Sequence, residues 1–192
     1  MSRKVLVPVA DGSEEIEAVT IIDTLRRAGA EVSVASCQPD GRLEITASRG
    51  VFLKADCAIE SCIGKLYHLI AVPGGIKGSE QLRDNKYLTQ LLTEQKKAHR
   101  WYAAICAAPA IVLSYHGLLD NTRATCYPSF IDKLEGAMAQ PGHLVVVDQN
   151  KRVITAQGPA NAFGFSFQLI DALYGKDAYR PIAKQTIADW AL

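Results

Sequence analysis

Cys106 stands in W-Y-A-A-I-C-A-A-P, where one apolar run ends in a thiol and a second begins at once with Ala107. A strand that passes directly into a helix must bend sharply, and the residue at the bend is held out at the edge of the sheet. Ala103, Ala104, Ala107 and Ala108 supply the small neighbours such an elbow needs, although the glycines of a G-x-S-x-G turn are missing. At a helix N-terminus the macrodipole and the unpaired N–H groups favour a thiolate, so the position predicts a lowered thiol pKa and a nucleophile. A buried structural cysteine is the other reading, because free cysteine is among the most buried residue types.

Two more segments bear on the choice. Gly74 and Gly75 follow an apolar run in V-P-G-G-I-K-G. With no side chain in the way, their N–H groups can turn toward an adjacent loop, and a donor from Gly74 or Gly75, with the N–H of Ala107, can form an oxyanion hole beside the sulfur. A helix-initiating turn or a phosphate cradle is the alternative, the latter weakened by the lack of G-x-G-x-x-G or G-K-[ST]. The proton carrier is harder to find. His68 falls in a predicted strand, His99 closes a predicted helix, and His116 follows two helical turns after the cysteine, so none has a claim as base. Glu17, one turn into the first helix, is the remaining candidate. An ionised carboxylate raises the pKa of a nearby thiol, so the pair works only if its two groups titrate together and Glu17 takes up the proton. An ordinary carboxylate at a helix N-terminus is the plainer alternative.

The elements that must position these residues alternate between strand and helix. Lys4–Val9, Glu31–Ser36, Tyr67–Val72 and Tyr102–Ile105 read as buried strands, with Leu144–Val147 and Val153–Ala156 later in the chain. A small β excursion covers Arg42–Thr46 and Val51–Leu53. Helices are expected at Glu14–Ala28 (capped by Ser13, ended by Gly29), Ser79–Arg83, Lys86–Ala98, Ala107–Tyr115, Asn161–Leu173 and Asp177–Ala191. In the first helix Ala18, Val19, Ile21, Ile22, Leu25 and Ala28 share one face and Thr20, Asp23, Thr24 and Arg27 the other, with Glu17 at the margin. Apolar strands alternating with helices imply a mainly parallel sheet covered on both faces, with ligands at the carboxyl ends of the strands. The segments around Glu17, Gly74 and Cys106 all fall just beyond a predicted strand end.

Composition sets the outer limits. The 192 residues fit one domain with a sizeable core. A net charge of +1 gives no broad cationic surface for nucleic acid. The N-terminal residues lack a signal-peptide pattern and no apolar run approaches the roughly 20 residues of a membrane helix, so a cytoplasmic protein with reduced thiols is expected. The five cysteines include no C-x-x-C, and Cys57 and Cys62 read as an incidental pair. No metal site is expected.

G-S-E-E-I-E-A-V, V-P-G-G-I-K-G, A-A-I-C-A-A-P and T-A-Q-G-P-A, taken together and in this order, resemble the ThiJ/PfpI family. Within it the chain looks most like the branch that holds a parkinsonism-associated protein deglycase and the bacterial protein YajL. The resemblance implies a flavodoxin-like three-layer α/β/α sandwich over residues 1–192, a single class I glutamine amidotransferase-like domain, usually a homodimer, with the elbow cysteine reactive. It also implies Cys106 as nucleophile, Glu17 as its partner, and Gly74, Gly75 and Ala107 as backbone donors. Arg49, in S-R-G, matches an arginine near the family's dimer interface and site. Where many relatives carry a histidine before a proline, this chain has Tyr127 in T-C-Y-P, a hydrogen-bond donor but a poor base at neutral pH. The activity implied is a cofactor-free glyoxalase III-like or deglycase reaction on methylglyoxal, glyoxal and early glycation adducts. A redox-regulated chaperone or oxidative-stress sensor acting through Cys106 is the alternative.

Overall fold

In a computed structural model, which describes residues 2–191, the chain runs β1 (Lys4–Val9), α1 (Glu15–Arg27), β2 (Glu31–Ser36), β3 (Glu44–Thr46), β4 (Phe52–Lys54), β5 (Cys57–Ala58) and β6 (Leu69–Val72). It continues through α2 (Ile76–Asp84), α3 (Lys86–Lys97), β7 (Trp101–Ile105), β8 (Arg123–Ala124), β9 (Met138–Ala139), β10 (Val145–Asp148), β11 (Val153–Ala156), α4 (Ala162–Tyr174) and α5 (Arg180–Thr186). Seven strands form the central sheet in the order β10-β11-β7-β6-β1-β2-β5. All neighbours are parallel except β10, which pairs antiparallel with β11 at the edge. This is the flavodoxin-like arrangement expected, and β1, β6 and β7 lie side by side so that their carboxyl ends meet. The chain leaves β1 for β2 on one side and returns to β6 on the other, which makes that meeting point the place where strand order reverses.

Alternation along β1 shows why the sheet needs cover on both faces. Val5, Val7 and Val9 point into a core shared with Ala18, Ile21 and Leu25 of α1 and Phe165 and Leu169 of α4. Leu6 points the other way, with Ile70, Val72, Leu82, Leu88, Leu92 and Tyr102. Each fully buried apolar side chain of this size contributes about 1.5–3 kcal/mol. Truncating Phe165, which is fully enclosed, removes about 3–5 kcal/mol with the cavity it leaves.

Several boundaries differ from the sequence reading. Ser13 does not cap α1: its hydroxyl accepts the Ala10 N–H at 3.0 Å inside the turn, and Glu14 is the N-cap, its carboxylate accepting the Glu17 N–H at 2.8 Å. On α1 Val19 is exposed while Thr24 is fully buried. Thr24 tolerates burial because its hydroxyl donates to the Thr20 carbonyl at 2.6 Å. The segment after Cys106 forms turns and a π-helical stretch, Pro109–Ser114, rather than an α-helix. The last helix stops at Thr186, where Ile187 turns left-handed (φ 55°) so that Ala188 can fold back, its N–H donating to Ala183. The short strands β5, β8 and β9 had no pattern long enough to announce them. Among the described residues no helix is long and apolar enough to cross a membrane.

Candidate active site

Cys106 follows the last residue of β7 and carries φ +64°, a left-handed conformation that costs a non-glycine residue about 1–2 kcal/mol. Two hydrogen bonds hold it there: its N–H donates to the Ala156 carbonyl at 2.9 Å, and its own carbonyl accepts the Tyr127 N–H at 2.7 Å. Buried alanines at 103, 104, 107 and 108 leave room for the bend. The residue is 9% exposed. The backbone N–H groups of Gly75 and Ala107 lie near its sulfur and favour the thiolate.

Gly75 faces the sulfur because it sits at φ +86° as the N-cap of α2. Gly74 has a different task from the one its sequence position suggests. Its N–H donates to Glu17 Oε2 at 2.7 Å and so holds the carboxyl, not an oxyanion. A Cβ at Gly74 would fall 2.5 Å from the Cys106 Cβ and 2.7 Å from Glu17 Oε2, so only glycine lets the three segments close up. The Glu14 N–H donates to the Gly74 carbonyl at 3.0 Å and ties the first loop to the second.

Glu17 is fully buried rather than marginal. Its carboxyl lies beside the Cys106 thiol across Gly74, and Oε1 has no hydrogen-bond partner among the described residues. Burial, against the Gly74 hydrogen bond and helped by the nearby Glu14 charge, pushes the Glu17 pKa up to about 8. The Cys106 thiol is pushed up to about 12, by burial first and by the Glu17 charge second, and the Gly75 and Ala107 N–H groups only partly offset this. The lowered thiol pKa expected from a helix terminus is therefore not found: no regular α-helix starts at Ala107, and desolvation outweighs two N–H donors. Each group's charge opposes ionisation of the other, so the two titrate as a coupled pair.

A cavity of about 730 Å³ opens onto the thiol, with Asp11, Arg49, Lys77, Gln81 and Tyr127 on its walls. The Asp11 carboxylate is paired with Arg42, and Arg49 is anchored by its N–H to Glu15 at 2.8 Å. Tyr127 is 44% exposed at the mouth. The structure thus brings Cys106, Glu17, Gly74, Gly75, Ala107, Arg49 and Tyr127 to one place. The histidines are elsewhere: His68 accepts the Lys4 N–H, and His116 contacts the Arg83 carbonyl at 2.8 Å. Glu14 is the functional residue the sequence reading passed over. The E-x-x-E spacing of Glu14 and Glu17, with an acceptor three residues before the N–H it caps, was its signal.

A family model described as DJ-1/PfpI matches residues 3–172. The chain belongs to that family. Among DJ-1/PfpI relatives, it is 40% identical to Protein DJ-1 homolog B of Arabidopsis thaliana over 96% of this chain and 41% of that protein. It spans about two fifths of the length of the first curated relatives it matches. It is 31% identical to the Glutathione-independent glyoxalase DJR-1.2 of Caenorhabditis elegans, covering 95% of this chain and 94% of that one. The solved structure of oxidized Toxoplasma gondii DJ-1 superposes with a TM-score of 0.93 at 46% identity, covering 98% of this chain and 100% of that one.

Proposed function

We propose that this DJ-1/PfpI chain is a cofactor-free, cysteine-dependent enzyme acting on α-dicarbonyls such as methylglyoxal and glyoxal, and on their early adducts with proteins. The observation that carries this is the buried Glu17 carboxyl, held by the Gly74 N–H at 2.7 Å, beside the Cys106 thiol at an open cavity. The worm relative named as a glutathione-independent glyoxalase supports the same reading.

In the reactive form the remaining proton of the pair lies on Glu17, and the Cys106 thiolate adds to the aldehyde carbon of methylglyoxal. The new alkoxide is held by the Ala107 and Gly75 N–H groups and takes the Glu17 proton, giving a hemithioacetal. Glu17, now a carboxylate, removes the hydrogen on that carbon and returns it to the neighbouring carbon, while the hemithioacetal hydroxyl proton passes to the neighbouring oxygen, which leaves a thioester. Water hydrolyses the thioester to lactate and frees the thiol. No outside oxidant or reductant enters. The cavity is far larger than a three-carbon dicarbonyl, which suits an adduct carried on a protein side chain. The chain is taken as one cytoplasmic domain that pairs as a homodimer through the face around Arg49, where Ile16, Val19, Val51 and Phe52 are exposed.

Lactate formation from methylglyoxal by freshly reduced protein is the test. Cys106→Ser is expected to abolish turnover and Glu17→Gln to lower it at least about a hundredfold. Unchanged turnover in either variant overturns the proposal.

A second reading is a redox-responsive chaperone or sensor, in which peroxide carries Cys106 to a sulfinate that a protonated Glu17 hydrogen-bonds. The likeness to a DJ-1 structure described as oxidized favours it. Suppression of client aggregation that appears only after peroxide treatment, without dicarbonyl turnover, would select this reading over the first.

A further inference from the structure

The Cys57 and Cys62 sulfurs lie 3.7 Å apart. They stand five positions apart in the sequence, where the pair reads as incidental. The fold gives it a setting. Cys57 is half-buried in β5, the edge strand, which is joined to the sheet by only two residue pairs, Ala35 with Cys57 and Ser36 with Ala58. Cys62 is fully buried at the end of the 3-10 turn Ile59–Cys62 that follows. Tyr67 packs in the same buried cluster; burial pushes the Cys62 thiol up, and the Tyr67 hydroxyl works the other way. A third thiol, Cys37, is buried in the same cluster. The β5 edge lies four strand spacings from β7, roughly 19 Å. The pair is therefore remote from Cys106.

We propose that Cys57 and Cys62 form a second redox site, a dithiol that hydrogen peroxide converts to an intramolecular disulfide without help from Cys106. The sulfurs need to close by about 1.7 Å to reach bonding distance. A two-residue edge strand followed by one tight turn is the part of the sheet least restrained against such a shift. Cys57, the more accessible thiol, meets the oxidant as its thiolate: its sulfur takes one peroxide oxygen, the O–O bond breaks, and hydroxide leaves. The Cys62 sulfur then attacks the Cys57 sulfenic acid, forming the S–S bond as the sulfenic oxygen leaves as water. In total two thiols and one peroxide give one disulfide and two waters. Tyr67 assists as a positioning residue by stabilising Cys62 as the attacking thiolate. A dithiol reductant returns both thiols, so the modification is reversible, whereas a sulfinate at an isolated cysteine is not.

The sequence allows a direct test. Lys54 and Lys65 flank both cysteines, so trypsin releases Ala55–Lys65 as one peptide carrying the pair and no other thiol. The full chain is treated with a small excess of hydrogen peroxide, alkylated, digested and examined by mass spectrometry, alongside Cys106→Ala. In both proteins the peptide is expected to lose two hydrogens, to resist alkylation at both positions, and to regain two alkylatable thiols after dithiothreitol. Cys57→Ser and Cys62→Ser each leave one alkylatable thiol in this peptide and block the loss. Tyr67→Phe is expected to slow disulfide formation severalfold while thermal melting and circular dichroism show it folded. Sulfinic or sulfonic acid at Cys57 with Cys62 still alkylatable would overturn the proposal, as would a disulfide that forms only when Cys106 is present.

Discussion

Glu17 and Cys106 meet across Gly74, although solvent scarcely reaches either residue, at 0% and 9% exposure. An acid and a thiol so enclosed cannot both ionise near neutrality. Reactivity should therefore follow the first proton lost by the pair. Inactivation by iodoacetamide is expected to climb with pH through about 8, with the slope of one ionisation. In Glu17→Gln that inflection should vanish and the thiol should titrate on its own. Stopped-flow or mass-spectrometric alkylation rates between pH 5 and 10 check this.

The same burial predicts a stability trend. The carboxyl of Glu17 is held near 8 in the folded chain, against 4.5 for an unperturbed glutamate. The folded state therefore binds more protons than the unfolded chain between those values, and this stabilisation, complete below pH 4.5, is lost as pH rises to about 8. The difference corresponds to roughly 5 kcal/mol at most. Glu17→Gln, which has no charge to bury, should melt closer to or above the parent at pH 8.5 than at pH 4.5. Thermal unfolding of both proteins at the two pH values measures the change.

Gly74→Ala tests how tightly the loops are packed. The added methyl would meet the Cys106 Cβ, the Glu17 carboxyl and the Ile105 carbonyl within 2.8 Å. Destabilisation of about 1–3 kcal/mol by chemical denaturation is expected, with turnover lost beyond what the folded fraction explains. Gly41→Ala, where nothing lies within 4 Å, carries only the strain of its φ +76° and should leave the chemistry intact.

Tyr127 touches the elbow in two separable ways. Its N–H holds the Cys106 carbonyl, and its ring lines the cavity mouth. Tyr127→Phe preserves the first and removes only the hydroxyl. The melting temperature should stay within the equivalent of about 0.5 kcal/mol, and kcat should change less than tenfold, because a phenol is a poor base at neutral pH.

The proposed dimer predicts a simple separation. Phe52 is 81% exposed beside Val51 on the hairpin that also carries Arg49. Phe52→Asp on both copies should weaken self-association at least about a hundredfold, read by analytical ultracentrifugation, while each protomer stays folded.

What could be read from the sequence was what local pattern controls. The apolar runs of β1 and β2 gave those strands to the residue, and Gly29, with φ +83°, falls just past the end of α1 as expected. The alanines around Cys106 announced the elbow. What escaped depended on partners distant in the chain. Glu17 looked marginal because nothing in its own helix reveals that Gly74 supplies an N–H to it. Thr24 looked solvent-facing because its two backbone acceptors become visible only when the helix forms. The last helix looked continuous because the left-handed turn at Ile187 arises from the burial of Ala188 against the body of the fold.

Cys106 is fixed through its own backbone to Ala156 on one side and Tyr127 on the other. The bend thus exists before any ligand arrives, and its maintenance is delegated to main-chain groups of Ala156 and Tyr127 rather than to reacting side chains. Inheritance of the reactive geometry is consequently collective. A lineage can exchange the rim of the cavity freely, yet drift at the strand holding Ala156 would misaim the sulfur while leaving every side chain at the centre unaltered.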